Sequence, residues 1–148
     1  MSAMAEPVWS LDDFSAVYLE RLKSGDAAGL GQLYVESAVL TTTGGPFGSS
    51  WVVGRDQIVA MIAETMTQYS VDGQTVPTAP FEYHGPDQAA RFGTFASTLT
   101  VKATGERITM TVSAFEVFGR TADDGWQYLA DHSAVTSITS SPRADGVA

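Results

Sequence analysis

The chain has 148 residues, a net charge of −9, two His and no Cys. That length supports one domain around one core. The acidic surplus argues against nucleic acid, whose phosphates need a Lys/Arg surface, and against an anionic membrane, while the lack of Cys removes disulfides, thiol nucleophiles and thiolate metal sites.

A Cys-free chain fits a reducing cytoplasm. The first residues, MSAMAEPVWS, carry neither the basic nor the apolar region of a signal peptide, and no apolar run approaches a membrane span, so a cytoplasmic protein is expected. Ser10 and Asp13 resemble a capping box, and Leu11, Phe14, Val17, Tyr18 and Leu22 then recur at helical spacing, predicting a helix over 11–24. Asp26 can cap a second helix running to about Val35, with Leu30, Leu33 and Tyr34 on one side. Residues 38–43, rich in β-branched residues, read as a strand that ends at the turn run 44–48, and an extended piece covers 50–53. Asp56 is expected to cap a third helix in which Ile58, Val59, Met61, Ile62, Met66 and Tyr69 keep the helical interval.

From there the period changes to two. Strands are expected over about 74–84, 89–102, 106–119 and 126–137, joined by hairpin-length turns. Helices followed by an antiparallel meander make an α+β fold. Residues 1–139 form the expected domain, and the small, polar 140–148 a disordered tail.

Strand alternation assigns the faces. In 106–119, Thr109, Thr111, Ser113 and Phe115 oppose Ile108, Met110, Val112, Ala114 and Glu116. Both faces are largely apolar, so the helices cover one and a second subunit can cover the other. In 89–102, Phe95, Ser97 and Leu99 form the apolar side. In the last strand, Trp126, Tyr128 and His132 share one side, and Asp131 faces the other as a surface or dimer-interface charge. Neither the two His nor the scattered carboxylates have metal-ligand spacing, no dinucleotide or phosphate-loop motif occurs, and neither a metal nor a cofactor is expected. A Ser/His/Asp triad lacks its nucleophile elbow.

Four segments, Tyr18-Leu-Glu-Arg-Leu-Lys-Ser-Gly-Asp26, Leu33-Tyr-Val-Glu-Ser-Ala-Val39, Gly54-Arg-Asp-Gln-Ile58 and Asp124-Gly-Trp-Gln-Tyr-Leu-Ala-Asp-His132, in this order and spacing, resemble the ketosteroid-isomerase-like or nuclear-transport-factor-two-like superfamily. The likeness is to its SnoaL-like branch, and above all to small proteins of polyketide and enediyne pathways. The resemblance implies a cone in which a curved, mainly antiparallel sheet wraps three N-terminal helices around a deep apolar pocket, and a homodimer through the sheet's outer face. It also implies that Tyr18 matches a tyrosine that stabilises an oxyanion, that Thr42 stands where the family's steroid isomerases have an Asp base, and that Ser113 stands at their protonated Asp. Neither Thr nor Ser replaces a carboxylate base near neutral pH, so ordinary ketosteroid isomerisation is not expected.

His132 is then the leading acid/base group, since imidazole titrates near neutrality and the residue is expected to face the pocket. The competing reading is a neutral His donating to a backbone carbonyl or to Tyr18. Tyr18 is either the donor to a developing enolate oxygen or a core aromatic. Thr42, Trp51, Phe95, Ser97, Thr111, Ser113, Phe115 and Tyr128 are candidate ligand contacts, although Thr and aromatic residues are common in strands and cores regardless of function. The expected ligand is a hydrophobic, polyketide-like small molecule, transformed by cofactor-free cyclisation, isomerisation or dehydration. Two alternatives stay open: a non-catalytic binding protein, and a dimerisation module whose cavity is filled by Phe95, Phe115 and Trp126.

Overall fold

The computed structural model describes residues 5–75 and 78–141. After a single turn at Leu11–Asp13 come α1 (Phe14–Lys23), α2 (Ala27–Gly31), β1 (Tyr34–Thr43), β2 (Ser50–Val53) and α3 (Arg55–Gln68). The remaining strands are β3 (Tyr69–Gln74), β4 (Thr78–His84), β5 (Gln88–Val101), β6 (Arg107–Thr121) and β7 (Gly125–Ser141). They build one curved, open seven-stranded sheet in the order β2-β1-β7-β6-β5-β3, with β4 on the other part of β5's edge. Only β1 and β7 run parallel; the remaining pairs are antiparallel. The fold is thus the expected α+β cone.

The local differences from expectation have physical causes. The second helix stops at Gly31 because Ala27–Gly31 contains two helix-weakening glycines and the following Tyr34-Val35 joins the β-branched run of β1. Asp26 does cap it, accepting from Gly29 N at 2.9 Å. Ser10 makes no side-chain cap, and the N-cap of α3 is not Asp56, which lies in the first turn, but Gly54 at φ +100°, a conformation that favours glycine. The third helix ends at Gln68, and Tyr69, expected on it, instead opens β3, which pairs with the last residues of β5; β4, within the stretch expected as a strand over 74–84, pairs with the first residues of β5. β7 continues to Ser141, and 142–148 lie outside the described residues, as do 1–4.

Packing centres on aromatic rings from α1, β1, β6 and β7. Phe14 meets Phe118 and Tyr128 edge-on at 5.0 and 4.7 Å between centroids, contacts worth about 0.5–1.5 kcal/mol each beyond area burial. A second cluster, Leu99, Ile108, Met110 and Val112, continues the inner face of β5 and β6. The two clusters leave space between the helices and the sheet.

The strand β7 carries the one irregularity that decides the site. Val117 pairs with Ala130, but Phe118 pairs with Tyr128, so Leu129 is an extra residue. A bulge of this kind reverses the inside/outside alternation beyond it. Tyr128 therefore faces inward, and so does Asp131, three residues later.

Candidate functional site

Between the helices and the sheet lies a cavity of about 720 Å³, a size usual for small-molecule pockets. α1 contributes Ser15, Tyr18, Leu19 and Leu22, the i, i+3, i+4, i+7 stripe of one helical face. α3 contributes Met61, Ile62, Thr65 and Met66 on the same logic. Strand alternation in β5 and β6 supplies Arg91, Phe95, Ser97 and Leu99, and Met110, Val112, Ala114 and Glu116. Much of the wall is apolar, and the polar groups gather at one end.

That end is a connected network. Tyr34 donates its hydroxyl to Asp131 Oδ2 at 2.7 Å, and the Tyr18 hydroxyl lies 3.4 Å from that of Tyr34. Beside them the Tyr128 hydroxyl donates to Glu116 Oε2. Arg91 reaches Glu116 Oε1 at 3.1 Å through Nε, donates to Ser15 Oγ at 3.1 Å, and lies over the Phe118 ring at 5.2 Å. Tyr34 is itself fixed from outside the cavity, because Arg55, following Gly54, donates twice to its carbonyl at 2.9 and 2.8 Å.

The electrostatics separate these groups. Burial first, and then the neighbouring Glu116 carboxylate, push the Asp131 carboxyl up to about 7, against the hydrogen bond from Tyr34 and the charge of Arg91. Burial, followed by the nearby acids, raises Tyr34 and Tyr128 well above the ordinary phenol value, and Tyr18 likewise, so all three stay protonated donors. The protons of Tyr34 and Tyr128 are committed to Asp131 and Glu116. Tyr18 makes only its long contact to Tyr34, and Asp131 Oδ1 accepts no hydrogen bond among the described residues. A donor and a proton-exchanging acid with a free oxygen thus face one apolar space.

Of the side chains singled out from sequence, Tyr18, Thr42, Phe95, Ser97 and Tyr128 stand in the cavity wall. His132 does not. Because Leu129 shifts the alternation, His132 projects from the outer face, exposed and hydrogen-bonded to Thr41 Oγ1. The expectation that it faces the pocket, and that Asp131 is a surface charge, is reversed. Thr111, Ser113 and Phe115 also lie on the outer face, since β6 turns Val112, Ala114 and Glu116 inward. Trp51, 73% exposed, sits on β2 beside His132 at a shallow cleft outside the cavity. The open cavity also contradicts the reading in which Phe95, Phe115 and Trp126 fill it.

Sequence reasoning passed over Tyr34, Arg91, Glu116 and Asp131 as site residues. For Glu116 the signal was present: a carboxylate on an otherwise apolar strand face must be buried and therefore partnered. Asp131 was hidden by the bulge.

The outer face has its own pattern. Phe81, Phe92, Phe115, His132, Thr41 and Trp51 are successive cross-strand neighbours, forming one row across β4, β5, β6, β7, β1 and β2. The next row reads Tyr83, Ala90, Val117, Ala130, Val39 and Val53. Neither contains Asp, Glu, Lys or Arg.

A family model described as "SnoaL-like domain" matches residues 16–127. No curated protein matches the sequence. Among solved structures, a ketosteroid isomerase-like protein from Erwinia carotovora atroseptica superposes with a TM-score of 0.69 at 18% identity, over 86% of this chain and 94% of that one. An NTF2-like protein with a cystatin-like fold from Novosphingobium aromaticivorans gives 0.64 at 21% identity, over 84% and 79%. A type 2 hexachlorocyclohexane dehydrochlorinase gives 0.70 at 12% identity, over 93% and 88%. At these identities the likeness is one of fold. Among the described residues, no helix is long and apolar enough to cross a membrane.

Proposed function

We propose that this chain, which belongs to the SnoaL-like domain family, binds a hydrophobic, polyketide-like small molecule in its cavity and moves a proton on it without a cofactor. The observation that carries this reading is Asp131: a buried carboxyl near neutral titration, oriented by Tyr34 through one oxygen and presenting the other to the apolar space. Asp131 takes the acid/base role for which His132 is misplaced. Tyr18 is the hydroxyl free to stabilise an enolate oxygen as charge develops there. The apolar wall strengthens both interactions by excluding water. Thr42, Phe95 and Ser97 contact the ligand, whose enolisation would lead to cyclisation, isomerisation or dehydration.

The test needs no known product. A naphthyl 1,3-diketone incubated in D2O should exchange its acidic C–H proton faster with the protein than without it, followed by NMR, and Asp131→Asn should remove the acceleration. Acceleration that survives Asp131→Asn overturns the role of that residue. Binding of the diketone with no acceleration favours the second reading, a non-catalytic carrier, whose support is that Thr42 stands where steroid isomerases of this superfamily have their carboxylate base.

The charge-free outer rows support a homodimer. A chain of net charge −9 that keeps Phe81, Phe92, Phe115 and Trp51 exposed on one uncharged face has a surface suited to a second copy of itself.

A further inference from the structure

The cavity wall contains four carboxylates, Asp12, Glu64, Glu116 and Asp131, and a single cationic side chain among the described residues, Arg91. Arg91 is already occupied. Glu116 holds its Nε at 3.1 Å, Ser15 takes a second N–H at 3.1 Å, and the two charged side chains are only 14% and 10% exposed. Glu116 in turn receives the Tyr128 hydroxyl. A carboxylate-bearing ligand entering this end would meet a neutralised cation and a second acid, Asp131, with no free guanidinium to offset the loss of its hydration.

We propose that Glu116 sets the ligand's charge: by occupying Arg91 from within the protein it makes the cavity accept ligands uncharged at the polar end, such as ketones, phenols and esters, and reject the corresponding carboxylates. This rests on the cavity being the ligand site proposed above. It adds a residue that acts on specificity through Arg91 rather than by reacting. Removing the charge of Glu116 while keeping its shape would take from Arg91 the only carboxylate hydrogen-bonded to it among the described residues, leaving its cross-strand neighbour Glu82 and Asp131 nearby, and an anionic ligand could take the vacated place.

The probes are 6-hydroxy-2-naphthoic acid and its methyl ester, titrated by fluorescence at pH 8. Wild-type protein should bind the ester at least about tenfold more tightly than the acid. In Glu116→Gln the ester-to-acid preference should fall at least about tenfold, through a gain for the acid. The double variant Arg91→Gln/Glu116→Gln, which removes the guanidinium together with its carboxylate and stands in if the single variant does not fold, should show no such gain. Ala114→Trp, which fills the cavity, should abolish binding of the ester. Equal binding of acid and ester by wild-type protein, an unchanged preference in Glu116→Gln, or an equal gain in the double variant overturns the proposal while leaving the ligand site standing. Failure of both compounds to bind wild-type protein, or ester binding that survives Ala114→Trp, overturns the ligand-site reading itself and this proposal with it.

Discussion

The two faces of β5, β6 and β7 invert the usual distribution of polarity. The inner face holds Arg91, Glu116, Tyr128 and Asp131 in a network sealed by helices, while the outer face shows solvent a row of aromatic side chains with no formal charge. Burying ions costs stability unless they are paired, and exposing rings gains nothing for an isolated subunit. The pairing of Arg91 with Glu116 meets that cost within the chain on one side, while the exposed rings on the other are the surface that the proposed second copy would cover.

Substitutions can separate the two faces. The largest effect belongs to Asp131→Asn, expected to slow ligand proton exchange by about 1,000-fold while the protein stays folded, since Asn can still accept from Tyr34. NMR exchange rates decide it. On the other face, Phe115→Glu should weaken self-association by about 100-fold or more and leave the cavity intact, because it puts two like charges near a symmetric contact. Analytical ultracentrifugation reads this directly, and a wild-type protein that is monomeric at high concentration refutes the outer-face assignment.

Tyr18→Phe removes one uncommitted donor and should cost about 100-fold in exchange rate with little change in ester affinity. A smaller effect concerns stability. The raised Asp131 carboxyl means that the folded state holds its proton at pH values where the unfolded chain has lost it, so Asp131's contribution to stability falls as pH rises from about 4 through about 7. Melting temperatures from pH 5 to 8 should decline for wild-type protein and flatten in Asp131→Asn. Smallest of all is His132→Ala: exchange should stay within about twofold of wild type, because the group that was swapped touches neither ligand nor network. A loss comparable to that of Asp131→Asn would mean that the outer cleft, not the cavity, holds the chemistry.

Much of the architecture was legible because it follows from periodicity. The i, i+3, i+4 stripes of α1 and α3 and the period-two strands β5 and β6 require only that apolar side chains meet, and their order dictates an α+β fold. Tyr18, Phe95 and Ser97 follow from that regularity. His132 and Asp131 do not, because alternation counted from Trp126 assumes an uninterrupted ladder, and nothing in the composition of Leu129 marks it as the unpaired residue. Leu129 is held in that position by tertiary packing, its side chain lying over Gly119 on β6 where a Cβ would come within 3.2 Å of it. The Arg91–Glu116 pair was within reach of the sequence, since both sit on inward positions of neighbouring strands, but their register requires the strand pairing itself.

The extra residue at Leu129 also bears on how such a site can change. Asp131 and His132 are adjacent in sequence and lie on opposite sides of one sheet, and because Leu129 is the extra residue, its deletion would restore an unbroken ladder in which Asp131 still stands opposite Glu116 and faces the cavity.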